Sequence, residues 1–239
     1  MKRLLLVAGF LGNWGETDGV VTTYQSLIPH LKTTGIEVDV LAYGPQDSIE
    51  YHGPLRVIQH RPKVPVKIDP MRWIDPAIRT SRLGRELAKR TYDLVHSSTP
   101  DPMGWFAYGI ARRSDCPFVA VYHTALDHYA RIRYERIAGR LAGKAMGAFM
   151  SHWVFRFYNK ADLVLAPSRS VRDELDAQLR PPVRVLSRGV DTVRFHPEHR
   201  TRTDSEVRAL YVGRGAPEKN LAHLVDIFKG RSDVHLPVV

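Results

Sequence analysis

Short apolar runs alternate along the chain with longer stretches in which apolar residues recur at helical spacing. Near-continuous apolar runs are typical of parallel strands covered on both faces, and they predict strands at residues 4–10, 37–43, 55–60, 93–97, 117–123, 162–166 and 183–186. Helical spacing predicts helices at residues 20–34, 78–90, 103–113, 129–158 and 168–179. This alternation predicts an α/β fold with a doubly wound, parallel, Rossmann-like sheet and right-handed crossovers.

A second unit is predicted near the end of the sequence. Residues 209–212 predict a buried strand, followed by a glycine turn at residues 213–215 and a helix that begins near Pro217 and ends at residue 229. Residues 234–239 predict one more strand.

Two strands cannot bury a sheet on their own, so this second unit is expected to be incomplete. We therefore divide the chain into an N-terminal Rossmann-like domain at 1–187, a linker at 188–207, and the truncated start of a second Rossmann-like domain at 208–239.

Two glycine turns precede helices and are candidate phosphate sites. The first N–H groups of a helix lack internal partners, so a strand, a glycine turn and a helix start together favour an anion. Arg214 and Lys219 lie around the later turn and indicate a phosphorylated ligand. Gly19 directly precedes the helix at residues 20–34, where a phosphate or carboxylate could lie, although a simple tight turn explains this glycine equally well.

Two histidines end predicted strands, where ligands lie in open α/β sheets. His123 is followed by polar residues that are placed for contact with a substrate, and of these Asp127 and Tyr129 are the candidates for acceptor binding. His96 ends another strand. The alternative is that both histidines are structural, with their hydrogen bonds satisfied inside the protein.

The positive charge is concentrated in the middle of the chain. The formal net charge is +10, and residues 61–160 contain 18 Lys and Arg against 8 Asp and Glu. Such a field indicates a phosphorylated substrate, an anionic lipid or nucleic acid, or else a solvated basic surface. Within it, Arg133, Arg136, Arg140 and Lys144 recur at helical spacing, beside an apolar stripe at Met146, Met150, Trp153 and Phe157. This helix could lie on an anionic membrane or pack its apolar side on the sheet.

The cellular location predicted from composition is the cytoplasm. Cys116 is the one cysteine, which excludes an internal disulfide and favours a reducing compartment. No apolar run approaches the roughly 20 residues of a spanning helix. Residues 1–12 are interpreted as a first strand and not as a signal peptide. The basic field leaves open a peripheral position on the inner face of the plasma membrane.

Several short motifs occur in a fixed order along the chain: DGVV at 18–21, HT at 123–124, ADLVLAPS at 161–168, GVD at 189–191 with Phe195 and Pro197, YVGR at 211–214 and EKN at 218–220. In this order and spacing they resemble the GT-B glycosyltransferases of family 4 over almost the whole chain. The DGVV and HTALDHY stretches are similar to the branch that glycosylates lipids such as diacylglycerol or phosphatidylinositol, and to related mannosyltransferases.

The resemblance implies roles for the candidate residues. Gly19 would approach the diphosphate of a nucleotide-sugar donor, Arg214 and Lys219 would neutralise that diphosphate as it leaves, and His123 would lie against the donor sugar. His123, Arg214 and Lys219 are thus the implied catalytic residues. The resemblance implies retention of anomeric configuration, with a nucleotide-diphosphate sugar as co-substrate and neither a metal nor another cofactor.

One feature of the family is missing from these residues. The resemblance implies a second domain with a Glu-x7-Glu motif, but no glutamate follows Glu218 in this sequence. We therefore expect the chain to hold the acceptor-binding part and the first phosphate loop, while most of the donor pocket is absent.

Three functions stay open at this point. The first is a retaining glycosyltransferase that moves a hexose to a lipid-linked or membrane acceptor, completed by a longer chain or by a separate donor-domain polypeptide. The second is a truncated, non-catalytic module that binds the acceptor or a membrane. The third is nucleic-acid binding, which is disfavoured because no nucleic-acid motif is recognised, so no nucleic-acid partner is expected.

Overall fold

The computed structural model describes residues 2–11, 19–64, 66–67, 73–201, 203, 207–213, 220–230 and 234–235. The chain separates into two compact units, residues 1–189 and residues 190–239.

The first unit is built on one eight-stranded sheet. Its strands and the short strands beside it are β1 (Arg3–Phe10), β2 (Glu37–Tyr43), β3 (Ser48–His52), β4 (Leu55–His60), β5 (Val66–Lys67), β6 (Trp73–Ile74), β7 (Leu94–Ser97), β8 (Phe118–Val121), β9 (Leu163–Ala166) and β10 (Val183–Val185). The helices are α1 (Gly19–Leu31), α2 (Arg82–Ala88), α3 (Pro102–Ser114), α4 (Leu126–Tyr158) and α5 (Arg169–Asp176). The strand order is β10-β9-β8-β7-β1-β2-β4-β3, and the predicted doubly wound α/β fold is confirmed.

The two faces of the sheet are covered by different helices. Along β1, Leu4 and Leu6 pack with α1, whereas Leu5 and Val7 join the larger core formed with the other helices. This alternation follows from the two-residue repeat of a strand, and it explains why β1 has a continuous apolar sequence.

Side chains with a short polar group set the starts of three helices. Before α2, the hydroxyl of Ser81 accepts a hydrogen bond from Gly84 N. Before α3, the carboxylate of Asp101 accepts hydrogen bonds from Met103 N and Gly104 N. Before α5, the hydroxyl of Ser168 accepts a hydrogen bond from Val171 N. Each satisfies backbone donors that have no partner within the helix.

Three details of the first unit differ from the sequence prediction. The edge strand β3 is antiparallel to β4, so the sheet is mixed. The predicted helix at 78–90 is a short 3-10 turn at Ile78–Thr80 followed by α2, because the Ser81 cap interrupts it. The long predicted helix is broken at Gly139, where φ is 85° and ψ is 172°. A positive φ costs glycine little, because it has no Cβ.

The second unit has little regular structure among its described residues. It contains a 3-10 turn at Pro197–His199, strands β11 (Val207–Arg208) and β12 (Val234–His235), which pair in parallel, and helix α6 (Leu221–Phe228). The prediction of a buried strand at 209–212 is wrong, since Leu210 is 61% exposed and Val212 is 71% exposed. Helix α6 begins at Leu221, later than the predicted start near Pro217.

No helix among the described residues combines the length and the apolar character needed to cross a bilayer.

Candidate active site

The candidate site lies at the carboxyl ends of β1, β7 and β8. The chain leads from β1 to β2 on one side of the sheet, while β7 pairs with β1 on the other side. The order of the strands therefore reverses between β1 and β7, which is where open α/β sheets form a ligand crevice. Predicted site residues that follow these strands are consequently brought to one edge.

A glycine at the end of β1 shapes this edge. Gly9 has φ +71°, and the register of β1 against β2 shifts between Val7 and Gly9. A Cβ built on Gly9 would lie 3.7 Å from Ser98 Oγ and from Thr99 Cγ2. The available space would accept a methyl group, so it is the positive φ that favours glycine here.

A buried tyrosine connects the two strand-end histidines. Tyr24 of α1 is 1% exposed. Its hydroxyl oxygen lies 2.7 Å from Nε2 of His96 and 3.4 Å from Nε2 of His123. The hydroxyl has one proton, so it donates to one imidazole and accepts from the other. The three rings also meet edge to face, with centroids 5.8 Å and 5.7 Å from that of Tyr24.

The two histidines are neutral at physiological pH. Burial and, to a smaller extent, the proximity of His123 lower the pKa of His96 to about 4. Burial and the charge of Arg188 lower the pKa of His123 to about 4. Burial also raises the pKa of Tyr24 above its ordinary value. The group therefore offers hydrogen bonds but no charge.

One atom of this group is left without a partner. His123 Nδ1 is buried and has no hydrogen bond within the part of the chain that the structure describes. Its other ring nitrogen faces Tyr24, so the orientation of the imidazole is held from one side only. A buried polar atom without a partner is costly, which marks Nδ1 as a position where a ligand could bind.

A guanidinium group lies at the start of α1. A Cβ built on Gly19 would clash with Nη1 of Arg188, so this side chain rests against the first residue of the helix. The N-terminus of a helix carries a partial positive charge, and a cation placed there gains nothing from it. Two positive groups that converge in this way create a potential that favours an anion.

The predicted residues Gly19 and His123 are thus brought to the same guanidinium. Arg188 contacts the Gly19 position and its charge acts on His123. The other two implied catalytic residues, Arg214 and Lys219, lie outside the described residues.

The predicted acceptor residues lie in the first turn of α4. Asp127 Oδ2 accepts a hydrogen bond of 2.8 Å from Ser151 Oγ. Tyr129 is 38% exposed, and its ring lies 6.4 Å from that of His128. Asp127 therefore holds two parts of α4 together, while Tyr129 is accessible.

The four predicted surface cations do not share one straight helix. Arg133 and Arg136 precede the break at Gly139, and Arg140 and Lys144 follow it. All four side chains are exposed.

Two residues of the site were missed by the sequence interpretation. Tyr24 has the helical spacing of a core residue, and Arg188 stood only as the first residue of the predicted linker. A buried tyrosine needs a partner for its hydroxyl, so two strand-end histidines were a signal that could have identified Tyr24. No signal in the sequence placed Arg188 against Gly19.

The sequence matches a family model described as Glycosyltransferase Family 4 over residues 17–194. A GDP-mannose-dependent alpha-mannosyltransferase of Mycolicibacterium smegmatis is 31% identical over an alignment of 251 residues, which covers 100% of this chain and 63% of that protein. A protein of the same name from Mycobacterium tuberculosis is 31% identical over 224 residues, 89% of this chain and 56% of that protein.

A more distant relative bears another name. The sulfoquinovosyl transferase of Arabidopsis thaliana is 28% identical over 215 residues, which covers 85% of this chain and 38% of that protein. The chain thus spans less than two thirds of the length of these relatives.

Proposed function

The chain belongs to glycosyltransferase family 4, and we propose that it is the acceptor-binding part of a retaining enzyme that moves a hexose from a nucleotide sugar to a lipid-linked or other membrane acceptor. The observation that carries this proposal is the convergence of the α1 N-terminus, Arg188 and His123 at the carboxyl edge of the sheet. A departing nucleoside diphosphate develops negative charge, and positive groups that are already in position stabilise it most effectively.

Arg188 and Gly19 would receive the diphosphate. The guanidinium offers several donors in a planar fork, which suits phosphate oxygens. Gly19 keeps the helix start free of a side chain, so that a phosphate oxygen can approach the backbone as closely as Arg188 already does. Arg214 and Lys219, which lie outside the described residues, stay proposals from the sequence for neutralising the diphosphate.

His123 would bind a hydroxyl group of the sugar. With its pKa lowered to about 4, the imidazole is too weak a base to hold a proton at neutral pH. Its free Nδ1 can instead form a hydrogen bond to a hydroxyl, while Tyr24 fixes the ring through Nε2. This arrangement suits a reaction in which the leaving phosphate takes the proton of the acceptor.

Mannose carried on GDP is the donor to test first. Two relatives that are 31% identical carry GDP-mannose in their names, whereas the plant relative is named for another sugar. The choice of sugar is therefore proposed from the nearer relatives.

The proposed acceptor is a lipid at the inner face of the plasma membrane. Its support is the basic surface of α4 together with exposed apolar side chains on the same helix, of which Leu141 is 85% exposed. Tyr129, exposed in the first turn of α4, lies close in sequence to His123 and is the proposed acceptor contact.

A second candidate function is a module that binds the acceptor and the membrane without catalysis. The 239 residues span 63% and 56% of the two mannosyltransferases. Under this alternative, transfer involves a donor domain on the same polypeptide or on a separate polypeptide.

The test is transfer of labelled mannose from GDP-mannose to a membrane lipid extract. It uses the chain alone and a chimera in which the remaining C-terminal part of the Mycolicibacterium smegmatis relative follows residue 239. We expect transfer by the chimera. The donors tested are GDP-mannose, GDP-glucose and UDP-glucose. If a folded chimera that binds GDP neither transfers nor hydrolyses any of them, the proposed enzyme is contradicted and the binding module is supported.

A further inference from the structure

Helix α4 is a hairpin of two antiparallel arms. We name residues 126–138 arm one, residues 140–158 arm two, and residues 136–141 the tip. A Cβ built on Gly143 would lie 2.7 Å from Glu135 Cβ and 2.8 Å from Arg131 O. A Cβ on Gly147 would lie 3.1 Å from Arg131 Cβ. Glycine is therefore required for arm two to pack this closely on arm one.

The hairpin is anchored at one end only. Val154, Phe157 and Tyr158 of arm two are 1%, 0% and 1% exposed, and Trp153 Nε1 donates a hydrogen bond of 3.2 Å to Pro100 O. Val154 is about 22 Å along a helix from the Gly139 break, at the usual rise per residue. The bond between Ser151 and Asp127 joins the two arms near this base. The tip is consequently remote from the core.

The tip exposes large apolar side chains. Ile137 is 71% exposed and Leu141 is 85% exposed, one on each side of the Gly139 break. The apolar surface continues along arm two, since residues 141, 145 and 149 lie on one ridge of a helix and Phe149 is 61% exposed. The predicted apolar stripe behaves differently, because Phe157 is buried and Met150 packs against the core.

Cations flank these apolar side chains. Arg136, Arg140 and Lys144 are exposed, and they form neither an ion pair nor a hydrogen bond with any residue that the structure describes. Glu135 is the one acidic residue between residues 131 and 144, against five Lys and Arg. The tip and the residues beside it thus combine accessible apolar side chains with an excess of Lys and Arg over acidic residues.

We propose that the hairpin tip inserts into the surface of an anionic membrane. The inference rests on the proposed transfer to a membrane acceptor and names the element that attaches the chain there. Apolar side chains surrounded by Lys and Arg are the composition of segments that lie at the boundary of headgroups and acyl chains. Each cation close to anionic lipid adds to the attraction.

The charge of the tip argues against a second copy of the chain as the occupant. Two tips would bring like charges together while burying few apolar side chains, which is unfavourable. An anionic bilayer complements both features, since the cations meet headgroups and the apolar side chains enter the acyl region.

Insertion of the tip would place the candidate site near the membrane. Arm one begins at Leu126, three residues after His123. An attached hairpin would therefore hold the edge of the sheet that carries His123 within one hairpin length of the bilayer, where a lipid-linked acceptor presents its headgroup.

The test is sedimentation of the 239-residue chain with vesicles, without any nucleotide. Vesicles of phosphatidylcholine with about 30 mol% phosphatidylglycerol are compared with phosphatidylcholine alone, at low and high salt. The first variant, Ile137→Ser with Leu141→Ser, removes the apolar side chains of the tip. The second variant, Arg136→Gln with Arg140→Gln and Lys144→Gln, removes the positive charges in and beside the tip. We expect binding to anionic vesicles to weaken at least about tenfold in the first variant and about fiftyfold or more in the second.

Matched variants control for composition. Val190→Ser with Val193→Ser changes two exposed valines, which are 68% and 81% exposed. Lys89→Gln with Arg112→Gln and Arg113→Gln removes three other exposed cations. Both control variants should bind vesicles within about twofold of the parent chain, because the substituted residues lie outside the hairpin.

A fluorescent label reports insertion directly. In a Cys116→Ala background, a polarity-sensitive dye is attached at Leu141→Cys or, as control, at Tyr51→Cys on exposed strand β3. The label at position 141 should shift to shorter wavelength with anionic vesicles, and the label at position 51 should not. The inference would be overturned if parent and tip variants bound equally, or if the parent did not bind at low salt. It would also be overturned if the label at position 141 stayed in water, or if the tip variants lost self-association.

The outcome is distinguishable from failure of the proposed enzyme. Vesicle binding needs no donor, so a chain that inserts its tip while the chimera transfers nothing would refute the transferase and leave the hairpin inference standing. Transfer by the chimera to the membrane lipid extract, without vesicle binding by the 239-residue chain, would refute the hairpin inference and leave the transferase standing.

Discussion

The guanidinium of Arg188 rests against Gly19, the first residue of helix α1. A cation at the positive end of a helix gains no stabilisation from the helix dipole, and the proposed function assigns to this position an anion that both groups would share. Arg188 is also the charge that, after burial, lowers the pKa of His123. The proposed diphosphate position rests on the contact of Arg188 with Gly19 and on the electrostatic effect of Arg188 on His123.

Replacing Arg188 with alanine should reduce mannose transfer by the chimera. Loss of one charge-assisted donor to the leaving diphosphate should lower kcat about 100-fold, and Arg188→Lys should recover only part of it because the planar fork is lost. Arg184→Ala in the exposed part of β10 is the matched control. Equal rates in the Arg188 and Arg184 variants would remove the phosphate role.

Replacing Gly19 with alanine should act through Arg188. The added Cβ would clash with a guanidinium at the end of a flexible side chain, so the side chain can move at little cost in stability while the anion position is lost. Transfer by Gly19→Ala should fall about tenfold or more, and the effects of Gly19→Ala and Arg188→Ala should not add.

Gly109→Ala is the control, because a Cβ there meets no atom within 4 Å. Additive rate losses in the double variant would show that Gly19 acts independently of Arg188.

Removing the hydroxyl of Tyr24 should destabilise the first unit. Tyr24→Phe keeps the ring in place but leaves nitrogen atoms of His96 and His123 without a partner. The expected loss is about 1–3 kcal/mol in the free energy of unfolding, measured with urea. Tyr51→Phe, at a tyrosine that is 71% exposed, should change it by much less. If both substitutions have the same small effect, the hydroxyl does not hold the histidines.

The two neutral histidines should make the chain sensitive to acid. Their pKa values are about 4 in the folded chain, below the ordinary value of 6.5. The unfolded chain then binds more protons between pH 6.5 and 4, so the stabilisation is complete above pH 6.5 and declines as pH falls towards 4. The loss approaches a value on the order of 3 kcal/mol per histidine at the lower limit.

The pKa shift of Asp101 makes the folded chain less stable, relative to the unfolded chain, as pH rises. Burial raises its pKa to about 6 from 3.8, so its contribution is present below pH 3.8 and declines as pH rises towards 6. Between pH 4 and 6, the free energy of unfolding should therefore rise with pH by an amount that corresponds to about one proton. His123→Gln should remove most of this pH dependence. A slope that is the same in His123→Gln as in the parent chain would contradict this account.

The sheet was predictable because its strands are covered on both faces. Strand β2 is predicted at 37–43 and observed at Glu37–Tyr43, since nearly every residue in it is buried. Strand β3 was missed because its side chains are partly or fully exposed, and its sequence therefore lacks the apolar run that identified the others.

The site was predictable only where the chain order already placed a residue. His123 follows β8, so the sheet topology alone brings it to the crevice. Arg188 reaches Gly19 from far along the sequence, and a contact of that kind depends on how the chain returns after β10. The break in α4 depends on one φ value at Gly139, and helical spacing on both sides of the glycine concealed it.

The most direct test of the diphosphate position is the amide resonance of Gly19 in the 15N-labelled chain. We predict that GDP shifts this resonance and those of the first turn of α1, that guanosine does not, and that Arg188→Ala abolishes the shift while Arg184→Ala preserves it. A Gly19 resonance that is unchanged by GDP at millimolar concentration, or that shifts equally in the Arg188→Ala variant, would contradict the account.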